Sequence, residues 1–180
     1  YKKGNYQKAL DYYSMSLDIF KELGDKHFTA QSLMNIGLVY WNKDDNNKAL
    51  NYYDRSLKII EKLGDKYVKG EILYNIGILY NHKGDYDNAL DYLEHSLRIR
   101  EEFDNKSGIM YTLMGIGVIR TMYDNKYKLN KSLNYLTRSL KMANEINSRS
   151  GLVFSLQNLG NIYYFKGEYN KAAESLEKSL

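Results

Sequence analysis

The stretch LMNIGLVY at residues 33–40, followed by ALNYYDRSL at residues 49–57, decides the fold because variants of both segments recur along the chain. Variants of the first begin at residues 73, 113 and 156, and variants of the second begin at residues 9, 89, 132 and 172. The period is therefore 40 residues, with one interval of 43 residues. A fixed period of this size is typical of a solenoid built from one repeated unit.

Each of the two segments has the apolar spacing of an α-helix. In LMNIGLVY the apolar and small residues at positions 33, 36, 37 and 40 fall at i, i+3, i+4 and i+7, and ALNYYDRSL begins a comparable stripe. Because the intervening turns are short, consecutive helices are predicted to be antiparallel. The predicted helices cover residues 6–22, 27–42, 46–62, 67–82, 86–102, 107–123, 130–146, 151–166 and 170–180.

Glycines mark two further repeated features. A Gly in mid-helix costs about 1 kcal/mol relative to Ala, so its repetition predicts a close helix crossing at that point. The mid-helix glycines are Gly37, Gly77, Gly117 and Gly160. Gly24 and Gly64 instead follow a helical segment, where a left-handed C-cap is favoured, and Asp104 and Asn147 occupy the corresponding places later in the chain.

Composition excludes several classes of protein. The 180 residues contain no Pro and no Cys. Because Cys is absent, the chain has no disulfide framework, no thiolate chemistry and no cysteine-ligated zinc, and its composition does not distinguish an oxidising from a reducing compartment. No apolar run approaches the roughly 20 residues of a membrane-spanning helix. A net charge of +4 is too small and dispersed to indicate nucleic-acid binding. We therefore expect no membrane insertion and no direct nucleic-acid partner, and we take the cytoplasm as the expected compartment.

Catalytic and metal-binding motifs are also weak. Ser175-Leu176-Glu177-Lys178 fits S-x-x-K only by coincidence with a repeat position, and Gly115-Ile116-Gly117 lacks the preceding strand and third Gly of a dinucleotide loop. The three histidines, His27, His82 and His95, fall in different repeats with no H-x-x-x-H pair. We expect no enzyme activity, no metal and no cofactor.

The repeated residues resemble a known family. Two successive copies carry the same spaced set, namely Leu33, Ile36, Gly37, Tyr40, Ala49, Tyr53 and Ser56, and Leu73, Ile76, Gly77, Tyr80, Ala89, Leu93 and Ser96. With the turns Gly84-Asp85-Tyr86 and Gly167-Glu168-Tyr169, this pattern resembles the tetratricopeptide repeat (TPR) over essentially the whole chain. The resemblance implies an all-α, right-handed superhelical solenoid of antiparallel helix pairs with about 4.5 repeats.

The period and the repeat ends depart from the standard TPR. The chain has a period of 40 rather than roughly 34 residues and lacks the terminal Pro. It is more similar to the extended repeats of Pins-like polarity adaptors, kinesin light chains and bacterial regulators. HEAT and armadillo repeats have similar periods but not this Gly/Tyr/small-residue spacing.

We expect a single repeat domain over residues 1–180, with a partial repeat at 1–26, repeats at 27–66, 67–106 and 107–150, and a truncated repeat at 151–180. The first residues align with the tail of a first helix, so the sequence is interpreted as a fragment of a longer chain. Both ends would then leave a helix-packing face open. We expect end-to-end self-association through these faces.

The resemblance implies that the first helix of each pair lines a concave groove. Aromatic, Met and amide side chains suit a peptide ligand, because aromatics bury large areas and an amide both donates to and accepts from a peptide backbone. The predicted partner-binding residues are Met34, Asn35, Leu38, Trp41, Asn42, Glu71, Tyr74, Asn75, Ile78, Asn81, His82, Tyr111, Met114, Phe154, Gln157, Asn158, Asn161 and Tyr164.

Three of these residues share one repeat position, namely Asn35, Asn75 and Asn158. In the extended-repeat adaptors a similar Asn holds the backbone of a bound extended peptide. The alternative is that this Asn only satisfies its own helix or is solvated. The sequence thus favours a non-enzymatic scaffold that binds a peptide or helix of a partner. Two alternatives stay open: a regulatory or sensor segment of a larger bacterial signalling protein (a histidine kinase or transcription regulator), and a purely structural spacer.

The third copy departs from the pattern. Arg120 replaces the repeated Tyr, and three residues are inserted near Asp124–Leu129. Because an Arg cannot be buried unpaired, it is expected to be exposed or to meet a carboxylate, with Tyr123 filling the vacated space. The insertion is either a longer surface loop or, with Arg120, part of a basic site for an acidic partner, completed by Lys126, Lys128 and Lys131.

Overall fold

The computed structural model of the protein describes residues 5–123 and 129–179, which lie in nine helices and the turns between them. The helices are α1 (Asn5–Glu22), α2 (Lys26–Asn42), α3 (Asn46–Leu63), α4 (Lys66–His82), α5 (Tyr86–Glu102), α6 (Lys106–Tyr123), α7 (Leu129–Glu145), α8 (Arg149–Lys166) and α9 (Tyr169–Glu177). Each begins within two residues of the prediction, and only α9 ends more than one residue away. The predicted all-α fold is confirmed.

The turns have the predicted backbone conformation. Gly24 and Gly64 both adopt φ of +70°, and the non-glycine residues Asp104 and Asn147 adopt +48° and +53° at the corresponding places. Helices α2 and α4 begin with a capping Asp, since Asp25 accepts from the Phe28 N–H and Asp65 from the Val68 N–H. A residue in the left-handed conformation ends one helix, and the capping residue that follows it begins the next helix. The connections are therefore short, and the chain reverses direction at each of them.

The chain divides into two compact units, one ending at Tyr92 and one beginning at Leu93. In the N-terminal unit, α2 packs antiparallel on α3. The Ser56 hydroxyl donates to the Ala30 carbonyl at 2.7 Å, and the Tyr40 and Tyr52 rings stack with centroids 5.4 Å apart. The central cluster of this unit consists of Ala30, Ala49, Tyr53, Ile60, Val68, Ile72, Ile76 and Leu79.

A glycine allows the close approach of α2 and α3. A Cβ built on Gly37 would lie 2.7 Å from Tyr53 Cε1 and 3.2 Å from the Ala49 carbonyl oxygen. Tyr53 is 1% exposed, and its burial raises the pKa of its phenol far above the ordinary value. The predicted close crossing at this glycine is confirmed.

The C-terminal unit repeats the same contacts. A Cβ on Gly117 would lie 2.6 Å from Leu136 Cγ, and a Cβ on Gly160 would lie 2.9 Å from Leu176 Cγ. Two core clusters of the described part of this unit are Leu129, Leu136, Leu159 and Ile162, and Met110, Met114 and Ala143. No helix in the described part of the chain is both long enough and apolar enough to cross a bilayer.

Candidate functional site

The predicted groove residues of the N-terminal unit lie on α2 and α4, beside the buried face of each helix. In α2, Leu33 and Ile36 are 2% and 1% exposed, whereas the neighbouring Leu38 is 39% exposed. Asn42 and His82 are also exposed, and the half-buried members of the predicted set are Met34, Asn35, Trp41, Glu71, Tyr74, Asn75, Ile78 and Asn81. The two helices thus present apolar, aromatic and amide groups without a continuous charged face.

Three of these residues meet in one cleft. Asn35, Leu38 and Asn42 form the α2 wall of a cleft of about 200 Å³, and Val39 lies at its base. The opposite wall belongs to α1 and consists of Asn5, Tyr6, Ala9 and Tyr13. These α1 residues were not among the predicted partner-binding residues. Their i, i+3, i+7 spacing was a usable signal, because it places Tyr6, Ala9 and Tyr13 on one face of a helix.

The three repeated asparagines are not equivalent in the structure. Asn158 Nδ2 donates to the Phe154 carbonyl oxygen of its own helix at 2.8 Å, which matches the local-satisfaction alternative. Asn42 does the same with Leu38 at 2.7 Å. Within residues 5–123, neither Asn35 nor Asn75 forms a side-chain hydrogen bond. The amides of Asn35 and Asn75 therefore keep their full capacity to bond a ligand.

The predicted residues of the C-terminal unit are spread over α6 and α8. Phe154 and Gln157 line a shallow depression of about 430 Å³ together with Arg149, Ser150 and Val153. Tyr111 and Tyr164 are 42% and 61% exposed, Asn161 is exposed and Asn158 is half-buried.

Met114 is placed differently from the prediction. It is 7% exposed and packs in the core with Met110 and Ala143, so its side chain is closed to a partner. Its spacing resembled that of the exposed groove positions, but the packing of α7 against α6 covers it. Sequence spacing alone did not reveal that covering.

In the third copy, the buried part of Arg120 is compensated by a neighbouring carboxylate. Arg120 Nη2 donates to Glu94 Oε1 at 2.7 Å, and its guanidinium lies 5.7 Å from the Tyr135 ring centroid. The expectation that this Arg meets a carboxylate is confirmed. Tyr123 is 48% exposed, so the expectation that it fills the vacated space is wrong.

This pairing also changes the interpretation of the insertion. Because Glu94 compensates the charge of Arg120, that residue is not an open cation for an acidic partner. Lys126 and Lys128 of the suggested basic site, with most of the insertion, lie outside the described residues. Lys131 is exposed.

The histidines of the N-terminal unit have local partners. His27 Nε2 lies 3.0 Å from Asp65 Oδ2. His82 Nδ1 lies 3.4 Å from Asn46 Nδ2 and 3.9 Å from Asp44 Oδ1. In the two described ranges, no group of three or more His, Asp or Glu side chains could hold a metal ion.

Protein-family models match the repeats described above. A tetratricopeptide repeat model matches residues 1–62, 28–102 and 68–125, and a second such model matches residues 155–180. No match to this sequence was found among curated proteins.

Solved structures share the fold at low sequence identity. BtubC (BKLC) from P. vanneervenii is 19% identical with a TM-score of 0.89, over 99% of this chain and 73% of that chain. The TPR-like repeats of a Podosopora anserina kinesin light chain-type protein are 14% identical with a TM-score of 0.76, over 99% and 87%. A Rap protein complexed with competence and sporulation factor is 19% identical with a TM-score of 0.81, over 99% and 49%. At these identities the likeness concerns the fold.

Proposed function

Since the chain belongs to the tetratricopeptide repeat family, we propose that it is a non-enzymatic scaffold that binds a peptide segment of a partner protein along the predicted groove face of α2 and α4. The main support is the unused amide pair, Asn35 and Asn75. These residues stand at the same position of successive repeats, and neither is bonded within the described chain. An extended peptide carries donors and acceptors along its length that such amides can bond.

The side chains around the two amides supply apolar contact area. Leu38 lies one turn from Asn35, and Ile78 lies at the equivalent place beside Asn75. Tyr74 adds an aromatic surface on α4. Aromatic and aliphatic side chains that exclude water around a few polar bonds are typical of peptide-binding surfaces. The similar Rap structure contains a bound factor, which agrees with this use of the fold.

A peptide selection tests the proposal. The protein is immobilised and used to select peptides from a displayed library, and the dissociation constant of each selected peptide is measured by fluorescence anisotropy. Replacing Asn35, Asn75 and Asn158 together by Ala is expected to weaken binding roughly thirtyfold, since Asn35 and Asn75 each contribute about 1 kcal/mol. Asn158→Ala alone is expected to matter least, because its amide already bonds Phe154.

The matched control replaces three asparagines of the second helices, Asn51, Asn134 and Asn144, by Ala. Asn51 and Asn134 are exposed, and Asn144 donates to its own helix at the Leu140 carbonyl, as Asn158 does to Phe154. This control is expected to bind like the wild type. Failure to select any peptide, or equal affinity of the wild type and the groove variant, would contradict the proposal and favour the structural-spacer alternative.

A further inference from the structure

A polar triad joins α5 to α6 where the preceding copy has an apolar one. Arg100 of α5 donates through Nη1 to the Gly108 carbonyl oxygen at 2.8 Å and to the Thr112 hydroxyl at 2.7 Å, both on α6. The equivalent residues 40 positions earlier all belong to the central apolar cluster of the N-terminal unit, and they are Ile60, Val68 and Ile72. Hydrogen bonds from a cation have therefore replaced apolar packing at this contact.

The residues of this triad fit one another closely. Arg100 is 8% exposed and Thr112 is 0% exposed, so the guanidinium is largely withdrawn from water. A Cβ built on Gly108 would lie 2.9 Å from Arg100 Cδ and 3.0 Å from Arg100 Nε. The absence of a side chain at position 108 therefore makes room for the arginine, and the two residues together replace the isoleucine and valine of the preceding copy.

Two further arginines connect α5 to the helices that follow it. Arg120 of α6 donates to Glu94 of α5 at 2.7 Å, and Arg138 of α7 donates to Glu101 of α5. The Arg120 side chain is 17% exposed and the Arg138 side chain is 45% exposed, so ions in the solvent can reach both pairs. With Arg100, three arginines of the C-terminal unit thus cross between α5 and the helix pair formed by α6 and α7.

Helices α6 and α7 are held to each other mainly by uncharged groups. Leu136 packs directly on Gly117, Met110 shares an apolar cluster with Ala143, and the Ser139 hydroxyl donates to the Met110 carbonyl oxygen at 3.3 Å. Dissolved salt screens the attraction between partly exposed charges, whereas apolar packing does not depend on that attraction. The contacts of α6 with α5 and with α7 therefore differ in their response to ionic strength.

We propose that the contact between α5 and α6 is a salt-sensitive joint, which opens more readily as ionic strength rises while α6 and α7 stay packed as one body. Buried charged contacts specify an arrangement more than they stabilise it, and the least stable contacts of a fold open first. Movement of the helix pair away from α5 separates all three arginines from their acceptors at once. Tyr111, an exposed residue of the predicted groove, moves with α6. The joint does not depend on whether a peptide binds.

NMR of the arginine side chains tests the proposal. The chain has six arginines, and the Nε atoms of Arg100 and Arg120 are buried, so the exchange of each Nε–H with water reports how often that side chain leaves its site. Raising NaCl from about 0.1 M to about 1 M shortens the screening length from about 10 Å to about 3 Å. We expect the exchange of Arg100 and Arg120 to accelerate together, about fivefold. The buried backbone amides of Leu113 on α6 and Leu136 on α7 should keep their exchange rates.

A variant tests whether the contacts open together. Glu94→Gln keeps a hydrogen-bond acceptor and removes the charge beside Arg120. It is expected to accelerate the exchange of Arg100 about threefold at low salt, although Arg100 bonds the opposite end of α6. The matched control is Glu145→Gln, because Glu145 pairs with Lys106 at 3.0 Å between α7 and α6 and so does not cross the joint. This control is expected to leave the exchange of Arg100 unchanged.

Three outcomes would overturn the proposal. Constant exchange of Arg100 in high salt would show that the joint does not respond to ionic strength, and acceleration of Arg120 alone would show the local loss of one ion pair. Equal acceleration of the Leu113 and Leu136 amides would show that the helix pair unfolds rather than moving as one body. The salt series of the wild type decides the matter even where Glu94→Gln is poorly folded.

Discussion

Arg120 and Glu94 form a 2.7 Å hydrogen-bonded ion pair at the repeat position where Tyr80 stacks on Tyr92 one copy earlier. Only 17% of the Arg120 side chain is exposed. The guanidinium also lies over Tyr135, which occupies the position of Tyr92 after the three-residue insertion. The third copy has therefore exchanged an aromatic stack for a cation–π contact and an ion pair.

This pair is expected to stabilise the C-terminal unit. Arg120→Met removes a charge-assisted hydrogen bond and leaves Glu94 without its cation, so we expect a loss of about 1.5–3 kcal/mol in the free energy of unfolding. A double-mutant cycle with Glu94→Gln in urea measures the coupling. The side chains of the control pair, Arg138 and Glu101, are 45% and 39% exposed, and their coupling energy is expected to be less than about 1 kcal/mol. Equal coupling in both pairs would contradict this prediction.

Gly37→Ala is expected to destabilise the N-terminal unit although Ala is the better helix former. The added Cβ would lie 2.7 Å from the buried Tyr53 ring and 3.2 Å from a backbone oxygen. Overpacking of this kind costs about 1–3 kcal/mol, against a propensity gain of about 1 kcal/mol. Thermal unfolding followed by circular dichroism checks the sign. Asn51→Ala, at an exposed position on α3, serves as the control, and a Gly37→Ala protein as stable as this control would refute the close-crossing account.

Asp54 is expected to make stability depend on pH. Burial raises the pKa of its carboxyl, and Lys58 lowers it in part. A raised pKa means that the folded state favours the protonated form. Stability from this group is therefore present below the unfolded value near 3.8 and is lost as pH rises through the folded pKa.

Asp54→Asn should accordingly raise the unfolding temperature at pH 7 and have little effect at the acidic end of the range. The matched change Asp18→Asn concerns a side chain that is 72% exposed, and it is expected to leave the unfolding temperature unchanged at both pH values. An Asp54→Asn effect that is the same at both pH values would show that charge burial is not its cause.

Asp65 has two functions that mutation can separate. One oxygen caps α4 by accepting from Val68, and the other lies 3.0 Å from His27 on α2. Asp65→Asn retains a good helix cap and loses only the negative charge beside His27. Asp65→Ala loses the cap as well, so it should lower the free energy of unfolding by about 1 kcal/mol more. Urea denaturation of the two variants gives the difference. If Asn proves as damaging as Ala, the cap contributes nothing measurable.

The fold could be predicted from the sequence because the residue patterns that determine it are local. Helix bounds depend on apolar spacing within a turn or two and on caps such as Asp65, and the close crossing follows from a glycine that recurs once in each repeat, as at Gly37. Repetition strengthened each signal, since the same arrangement appeared several times in one chain. The family and the helix-pair architecture were therefore predictable without coordinates.

The candidate site was only partly predictable. The sequence grouped Asn35, Leu38 and Asn42 on α2, and the structure brings them together along one cleft, but the α1 wall of that cleft was not predicted. It treated Asn158 as equivalent to Asn35, whereas the structure bonds Asn158 to its own helix. It also placed Met114 in the groove, where the structure buries it.

The sequence by itself determined the period, the helices, their caps and the glycine crossings, because these depend on residues a few positions apart. Only the tertiary structure decided which equivalent positions are covered. Tyr53 is buried because α2 lies over it, whereas its counterpart Tyr13 borders an open cleft. Exposure depends on neighbours tens of residues away in the chain, so two nearly identical segments acquire different surfaces.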